Sequence, residues 1–371
     1  MADPFAFAGK KKRNYFEGWY CKNVAPGGHA YSFIPGVSYD AGGAAHAFVQ
    51  VIRGSDGATA FERYPISEFR ASAKTFDVTV GPNHFGFDGI SLSLPEAFGG
   101  IEGSLAYEGI TRLRGGLLTP WIMGWYRAVP FMECYHEVGS LSHEISGALD
   151  VAGSPIDFDG GRGYLEKDWG TSMPSAWIWM QCNGFATPGA SLMISIARIP
   201  WLNGQFTGFL GFVRFPQTGA AKGARESGNA RGAPGADERD GPPAAKDTGQ
   251  SGNAAAGNNA SESKTPGRFR QARFGTFSGA KILAFEVEGN KLRVTIEAGS
   301  LLLAFEAERS KSGTLAAPVG GAMERRIAES LDGRVELSVS EGGERLFVDR
   351  GSSAGIELVG VIDSLVRTPP T

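Results

Sequence analysis

The sequence predicts an all-β fold of antiparallel strands, on two observations: short runs of period-two alternation, and tight-turn residues that separate them. Between Lys281 and Glu288, Leu283, Phe285 and Val287 share one strand parity, while Glu286 and Glu288 share the other. Past the Gly289-Asn290 turn, Leu292, Val294 and Ile296 alternate with Arg293, Thr295 and Glu297, and Leu301, Leu303 and Phe305 continue the pattern. Val335, Leu337 and Val339 repeat it ahead of Gly342-Gly343. Such alternation puts apolar side chains on one face of a pleated strand, and glycine-asparagine pairs suit the hairpin turns between strands. The stretch from Met323 to Leu331 is left open between a short helix and a strand.

The 371 residues, 42% apolar and 20% charged, suit a globular chain long enough for two ordinary domains. A net charge of −3 argues against a nucleic-acid partner, which demands a basic patch. The run Lys10-Lys11-Lys12-Arg13 is read as a solvated tail, with weak peripheral contact to an anionic membrane as the alternative. Cys21, Cys134 and Cys182 are odd in number and widely spaced, so neither a disulfide framework nor a zinc site is expected. No signal-peptide core and no apolar run of about 18 residues is present, and a cytoplasmic location is expected. Residues 217–267 contain no valine, isoleucine, leucine, methionine, aromatic residue or cysteine. Such a segment cannot bury enough apolar surface to offset roughly 1–2 kcal/mol per residue of backbone entropy, and a disordered insertion is expected there.

Motifs of nucleotide, hydride or zinc-hydrolase chemistry are absent: no GxGxxG after a strand, no P-loop, no HExxH and no GxSxG. No cofactor and no metal are expected. His136-Glu137 and His143-Glu144 lie seven apart, which suits no standard metal site, and are read as strand residues. His29, His46 and His84 are read as exposed loop residues.

Three segments carry a family resemblance: YFEGWYCK (Tyr15 to Lys22), GYLEKDWGTSMPSAWIWMQCNGF (Gly163 to Phe185) and the weaker TPWIMGWYRAVPFMECYHEVGSLSHEISGAL (Thr119 to Leu149). They resemble the tocopherol cyclases. That resemblance implies a calycin-type architecture of two lipocalin-like antiparallel β-barrel halves, here 14–145 and 146–367, the second interrupted by 217–267. It also implies closure of a chroman-type ring on a prenylated phenol or quinol. Relatives that hydrate an alkene, and a non-catalytic binder of lipophilic small molecules, are the alternatives. The lipophilic prenylated molecule is the expected partner. Cys21 stands where the plant enzymes tend to carry an aromatic, and Asp168 where they carry asparagine, so a bacterial-type member with its own substrate is expected.

Ring closure of this kind needs a protonated carboxyl, stabilisation of a transient cation and orientation of the phenol. Glu166 and Asp168 share strand parity, and two carboxyls held close keep one protonated; an ion pair of either with Lys167 or Arg162 is the structural alternative. Trp177, Trp179, Gln181 and Asn183 share one parity, as a pocket wall would, and indole faces stabilise cations; the alternative makes the indoles core. Glu17, Trp19, Tyr20 and Trp169 are further candidates for the wall. Glu133 and His136 are second-rank acid or relay candidates, weakened by their opposite parity.

Overall fold

The computed structural model describes residues 3–115, 121–130, 132–201, 204–217 and 268–366. The insertion expected to be disordered lies outside the described residues from 218 to 267, as do 119, 120 and 131 of the third motif. The described residues form two large antiparallel sheets, of twelve and eleven strands, in agreement with the all-β, lipocalin-like expectation. Met323 to Leu331 belongs to a strand, Ala322–Glu341. No helix among the described residues is long and apolar enough to cross a membrane.

In the first sheet, hairpins run outward from Tyr15–Val24 through Ala30–Tyr39 and Ala45–Arg53 to Thr59–Pro65. On its other side Tyr15–Val24 pairs with the sequence-distant Gly161–Gly170, which pairs in turn with Cys134–Val151. The three motif segments therefore meet as neighbouring strands: Glu17 is opposite Trp169, Tyr20 opposite Glu166, and His136 opposite Asp168. The second sheet is ordered Phe269–Gly275, Gly204–Pro216, Ser191–Trp201, Trp177–Cys182, Glu344–Val359, Ala322–Glu341, and on to Lys281–Glu288. The change of sheet falls between Gly170 and Trp177; Cys134–Val151 runs unbroken across the 145/146 division read from sequence.

Each sheet wraps an apolar core of its own. One holds Trp19, Phe33, Val49, Phe85 and Leu165; the other holds Ile178, Met180, Ile194, Ile296 and Leu337. A third cluster lies where the sheets face each other, with Tyr164, Val138 and Ile52 from one and Trp177, Trp179, Met193 and Ile327 from the other. This division follows from strand parity: Trp177 and Trp179 point to the other sheet, while Ile178, Met180 and Cys182 point into their own core.

The interior of the first sheet is closed by the chain's own N-terminal segment. Phe5 is fully buried, and its carbonyl accepts the Trp19 indole N–H at 3.0 Å. The Glu17 carboxylate accepts the backbone N–H groups of Ala8 (2.7 Å) and Gly9 (3.1 Å) and the Tyr15 hydroxyl (2.5 Å). It also pairs with the fully buried Lys167 at 2.7 Å, whose ammonium donates to the Ala6 carbonyl. Every strong donor and acceptor here has a partner, so the barrel end is filled by a satisfied polar network.

Candidate active site

A cavity opens between the two sheets, in the third apolar cluster. Its polar end is formed by Tyr20, His136, Glu166 and Asp168 of the first sheet and Glu329 and Glu357 of the second, with Trp177 and Trp179 beside them. Parity explains the first-sheet contribution. Gly18, Tyr20 and Lys22 of the YFEGWYCK strand lie opposite Asp168, Glu166 and Tyr164, so these side chains share the face turned to the second sheet. Gly170, at φ +155, closes this strand where a Cβ would sit 2.2 Å from the Glu133 carbonyl oxygen. Only glycine permits that approach.

Glu166 is buried and its Oε2 accepts the Tyr164 hydroxyl at 2.6 Å and the Trp179 indole N–H at 3.1 Å. Burial pushes its pKa up to about 7; His136 and the two hydrogen bonds oppose that rise, and Asp168 adds to it. Burial is thus the larger cause, ahead of the carboxyl–carboxyl repulsion inferred from parity. His136 Nδ1 lies 2.9 Å from Asp168 Oδ1, which accepts its N–H when the ring is protonated, while Nε2 lies 3.5 Å from Glu166 Oε2. Burial alone would lower the His136 pKa, but the carboxylates of Glu166 and Asp168 outweigh it and carry the ring up to about 9. At neutral pH it is an imidazolium.

Glu329 and Glu357 are direct cross-strand partners. Glu329 Oε1 accepts the Tyr20 hydroxyl at 2.5 Å, and Glu357 Oε2 accepts the Trp177 indole N–H at 2.5 Å. Burial raises Glu329 to about 7. Burial, and then the adjacent Glu329, hold Glu357 well above the usual carboxylate range. Two like charges side by side in an apolar wall cannot both ionise readily. The site therefore holds two carboxyls near their midpoint at neutral pH, Glu166 and Glu329, and a third, Glu357, shifted in the direction of its protonated form. His136, Glu166 and Asp168 also each offer a ligand atom within 4.8 Å of the others, a grouping with metal-binding spacing.

Of the residues picked from sequence, the cavity gathers Tyr20, His136, Glu166, Asp168, Trp177 and Trp179. The others lie elsewhere. Glu17 and Trp19 have the opposite parity to Tyr20 and hold the N-terminal segment inside the first sheet. Trp169 shares that parity and stacks on Tyr135. Gln181 keeps the Trp179 parity but is taken up by Lys22, whose buried ammonium donates to Gln181 Oε1 at 2.8 Å. Asn183 lies past the end of its strand and donates to the Gly163 carbonyl at 2.8 Å. Glu133 is outside the cavity, on the parity opposite to His136; its backbone carbonyl accepts the N–H of Thr171. Lys167 is engaged by Glu17, so it does not neutralise Glu166. His46 and His84 are half-buried strand residues, not loop residues. Glu329, Glu357 and Cys134 are the titratable lining residues that sequence reasoning missed. For the glutamates a signal was present: Glu329 shares parity with Ile327 and Leu331, and Glu357 with Val359, so each interrupts an apolar face.

The family model described as tocopherol cyclase-like matches residues 119–208, which carry His136, Glu166, Asp168, Trp177 and Trp179. That segment is tocopherol cyclase-like. The chain is 37% identical over 73 residues to a chloroplastic tocopherol cyclase of Zea mays, covering 20% of this chain and 15% of that protein. To a probable chloroplastic tocopherol cyclase of Oryza sativa subsp. japonica it is 30% identical over 74 residues, covering 20% and 16%. The matched stretch is thus less than a fifth of the length of either relative. Glu329 and Glu357 lie outside the tocopherol cyclase-like segment. Among solved structures, CghA with Sch210972 is similar at 10% identity and a TM-score of 0.48, covering 94% of this chain and 89% of that one. Kievitone hydratase from Nectria haematococca is similar at 11% identity and a TM-score of 0.43, covering 93% and 89%.

Proposed function

We propose that this protein is a cyclase that closes a chroman-type ring on a prenylated phenol or quinol by proton-initiated cyclisation in the cavity between the sheets. The observation that carries the reading is geometric: two buried carboxyls, Glu357 and Glu166, each bound to the indole N–H of a tryptophan, line one apolar chamber, and burial raises the pKa of both. Two carboxyls whose pKa values are raised in a shared site can serve as acid and base near neutral pH.

In this mechanism the Glu357 proton adds to the trisubstituted alkene and leaves a tertiary cation. Trp177 and Trp179 line the wall beside it, and an indole face stabilises a cation by about 2 kcal/mol or more when desolvated. The phenol oxygen attacks the cation and forms the carbon–oxygen bond, and its proton passes to the ionised Glu166. The proton lost by Glu357 is matched by the one gained at Glu166, so substrate and product are isomers. The His136 imidazolium, held on Asp168, keeps part of the Glu166 population ionised at neutral pH. The acid role thus moves from the Glu166–Asp168 pair, where the sequence alone put it, to Glu357.

The test is incubation with a panel of prenylated hydroquinones followed by mass spectrometry. A new product of unchanged mass is expected; a gain of one water would make the protein a hydratase, and binding without turnover would make it a carrier. Glu357→Gln is expected to lower kcat by about 10²–10⁴-fold, the usual worth of a general acid, with ligand affinity nearly unchanged. Wild-type turnover in that variant would remove Glu357 from the acid role.

A further inference from the structure

One buried cation beside the acid end has no part in the proton transfers. Lys22 is fully buried, and among the described residues its ammonium pairs with no carboxylate and donates to the neutral Gln181 Oε1 at 2.8 Å. A dry ammonium without a counter-ion is costly, so its charge must be favoured from further off. Register shows what lies within reach. Tyr20 and Lys22 follow one another on the face of Tyr15–Val24 turned to the second sheet, and Trp179 and Gln181 do so on the facing side of Trp177–Cys182. The sheets therefore meet here in two rungs. In one, Tyr20 packs edge-on against Trp179 at 5.3 Å between ring centroids, and its hydroxyl donates to Glu329. In the next, Lys22 reaches Gln181.

Glu357 lies opposite both Trp179 and Glu329, so the two carboxyls belong to the first rung. Two residues along a strand span about 7 Å, and the residue opposite Gln181 is Gly355, which puts no side chain in between. Over that distance in apolar surroundings a unit charge is little screened. The placement is also one-sided. Tyr20, the strand neighbour of Lys22, holds Glu329, whereas Glu357 is held by Trp177, on the opposite side of Trp179 from Gln181.

We infer that Lys22 is a positioning residue: its buried charge makes Glu329 the carboxyl of the pair that ionises first and so leaves the remaining proton on Glu357, the acid that protonates the alkene. This deepens the proposed function and rests on it for the role of Glu357. Burial lowers the Lys22 pKa to about 8, with Cys182 and Glu329 opposing that fall, so the group is charged at pH 7. Burial raises Glu329, and the Tyr20 hydrogen bond and then Lys22 pull it back; Glu329 is in turn second to burial in raising Glu357. The first sheet also turns Glu166, Asp168 and the His136 imidazolium toward the pair, and Tyr164 lies opposite Lys22. The imidazolium is engaged by Asp168 and Glu166, so Lys22 is the cation that acts on Glu329.

The experiment follows the infrared carbonyl band of protonated carboxyl groups in the full chain as pH is varied, with the Glu329 contribution identified by its loss in Glu329→Gln. Lys22→Met, which keeps the bulk and removes the charge, is expected to raise the Glu329 midpoint by about one pH unit or more. Lys22 does not line the cavity, so KM should hold while kcat at pH 7 falls about tenfold, the worth of one unit of proton placement. Replacing a buried charge by an apolar group of similar volume is often neutral for stability, so Tm should hold as well; loss of a merely structural residue would lower Tm and leave the Glu329 midpoint in place. If orphaning Gln181 unsettles the fold, Lys22→Met combined with Gln181→Leu removes donor and acceptor together and is read in the same way.

A Glu329 midpoint that moves in neither variant would overturn the inference, as would an active enzyme whose kcat is unchanged. The titration needs no turnover, so a shifted midpoint in a protein that cyclises nothing would refute the proposed reaction and leave the coupling of Lys22 to Glu329 standing. Cyclisation with an unmoved midpoint would do the reverse.

Discussion

A glutamate in water at neutral pH is ionised, and three of them around one apolar chamber would repel each other and lose their hydration. Glu166, Glu329 and Glu357 reduce this by holding their protons to higher pH, since burial raises the pKa of all three. A measurable pH dependence follows from the division of roles. Glu166 as the base must be ionised, and its pKa is raised from an ordinary 4.5 to about 7; the fraction in the active form grows as pH rises through about 7. Glu357 as the acid must be protonated, and burial with the adjacent Glu329 holds its pKa well above the usual carboxylate range. Turnover should therefore rise through a limb near pH 7 and decline at higher pH, as the coupled carboxyl group lets go of its next proton. Measuring kcat from pH 5 to 9 checks it. A rising limb at pH 4 to 5 would show a base with no burial penalty, and Glu166 would not be that group. Much of this chemistry was legible in sequence, because Glu166, Asp168, Trp177 and Trp179 sit in one distinctive stretch. Tyr20, by contrast, could not be separated from Trp19 and Glu17. Alternation shows that neighbours face opposite ways, and only tertiary structure shows which way is in.

At the scale of strands, faces change along a single element. Ile327 and Leu331 face the first sheet, whereas Val335, Leu337 and Val339, of the same odd parity, face the second sheet's own core. The register shift between Ser330 and Gly333 accounts for the reversal, since an extra residue turns the following side chains to the other face. A similar irregularity between Ile282 and Ala284 leaves Leu283, expected on the buried parity, 53% exposed. Bulges carry no strong mark in a single sequence, so the strands were legible while the faces on either side of a bulge were not. Strand geometry also positions the indoles. Gly355 lies opposite Gln181, and a Cβ there would be 2.7 Å from the Trp179 ring and 3.2 Å from the Tyr20 hydroxyl. Its missing side chain is the space in which Trp179 reaches Glu166. Gly355→Val should destabilise the protein by about 1–3 kcal/mol through overpacking and displace the indole, with turnover lost by more than the stability change explains. Denaturant unfolding and kcat measured on the same preparation test this; an unchanged kcat would show that the Trp179 position is not needed.

At the scale of the whole molecule, neither sheet contains a complete site. Tyr20, His136, Glu166 and Asp168 come from the first, and Trp177, Trp179, Glu329 and Glu357 from the second. The first sheet cannot hold the ligand in its own interior, as a simple lipocalin-like half would, because Phe5 and the Glu17–Lys167 network occupy that space. The apolar cluster shared by the sheets is a structural joint and, under the proposed function, also the binding chamber, so occupancy should be felt on both sides of it. A ligand that binds only the folded state stabilises it by about 2.7 kcal/mol at a hundredfold excess over Kd. With dodecylphenol at that concentration, a single cooperative unfolding transition should move to higher temperature. Hydrogen exchange should slow in Gly161–Gly170 of the first sheet and in Trp177–Cys182 and Glu344–Val359 of the second together. Protection confined to one sheet would mean that the ligand lies within a barrel half and not in the chamber between the two sheets.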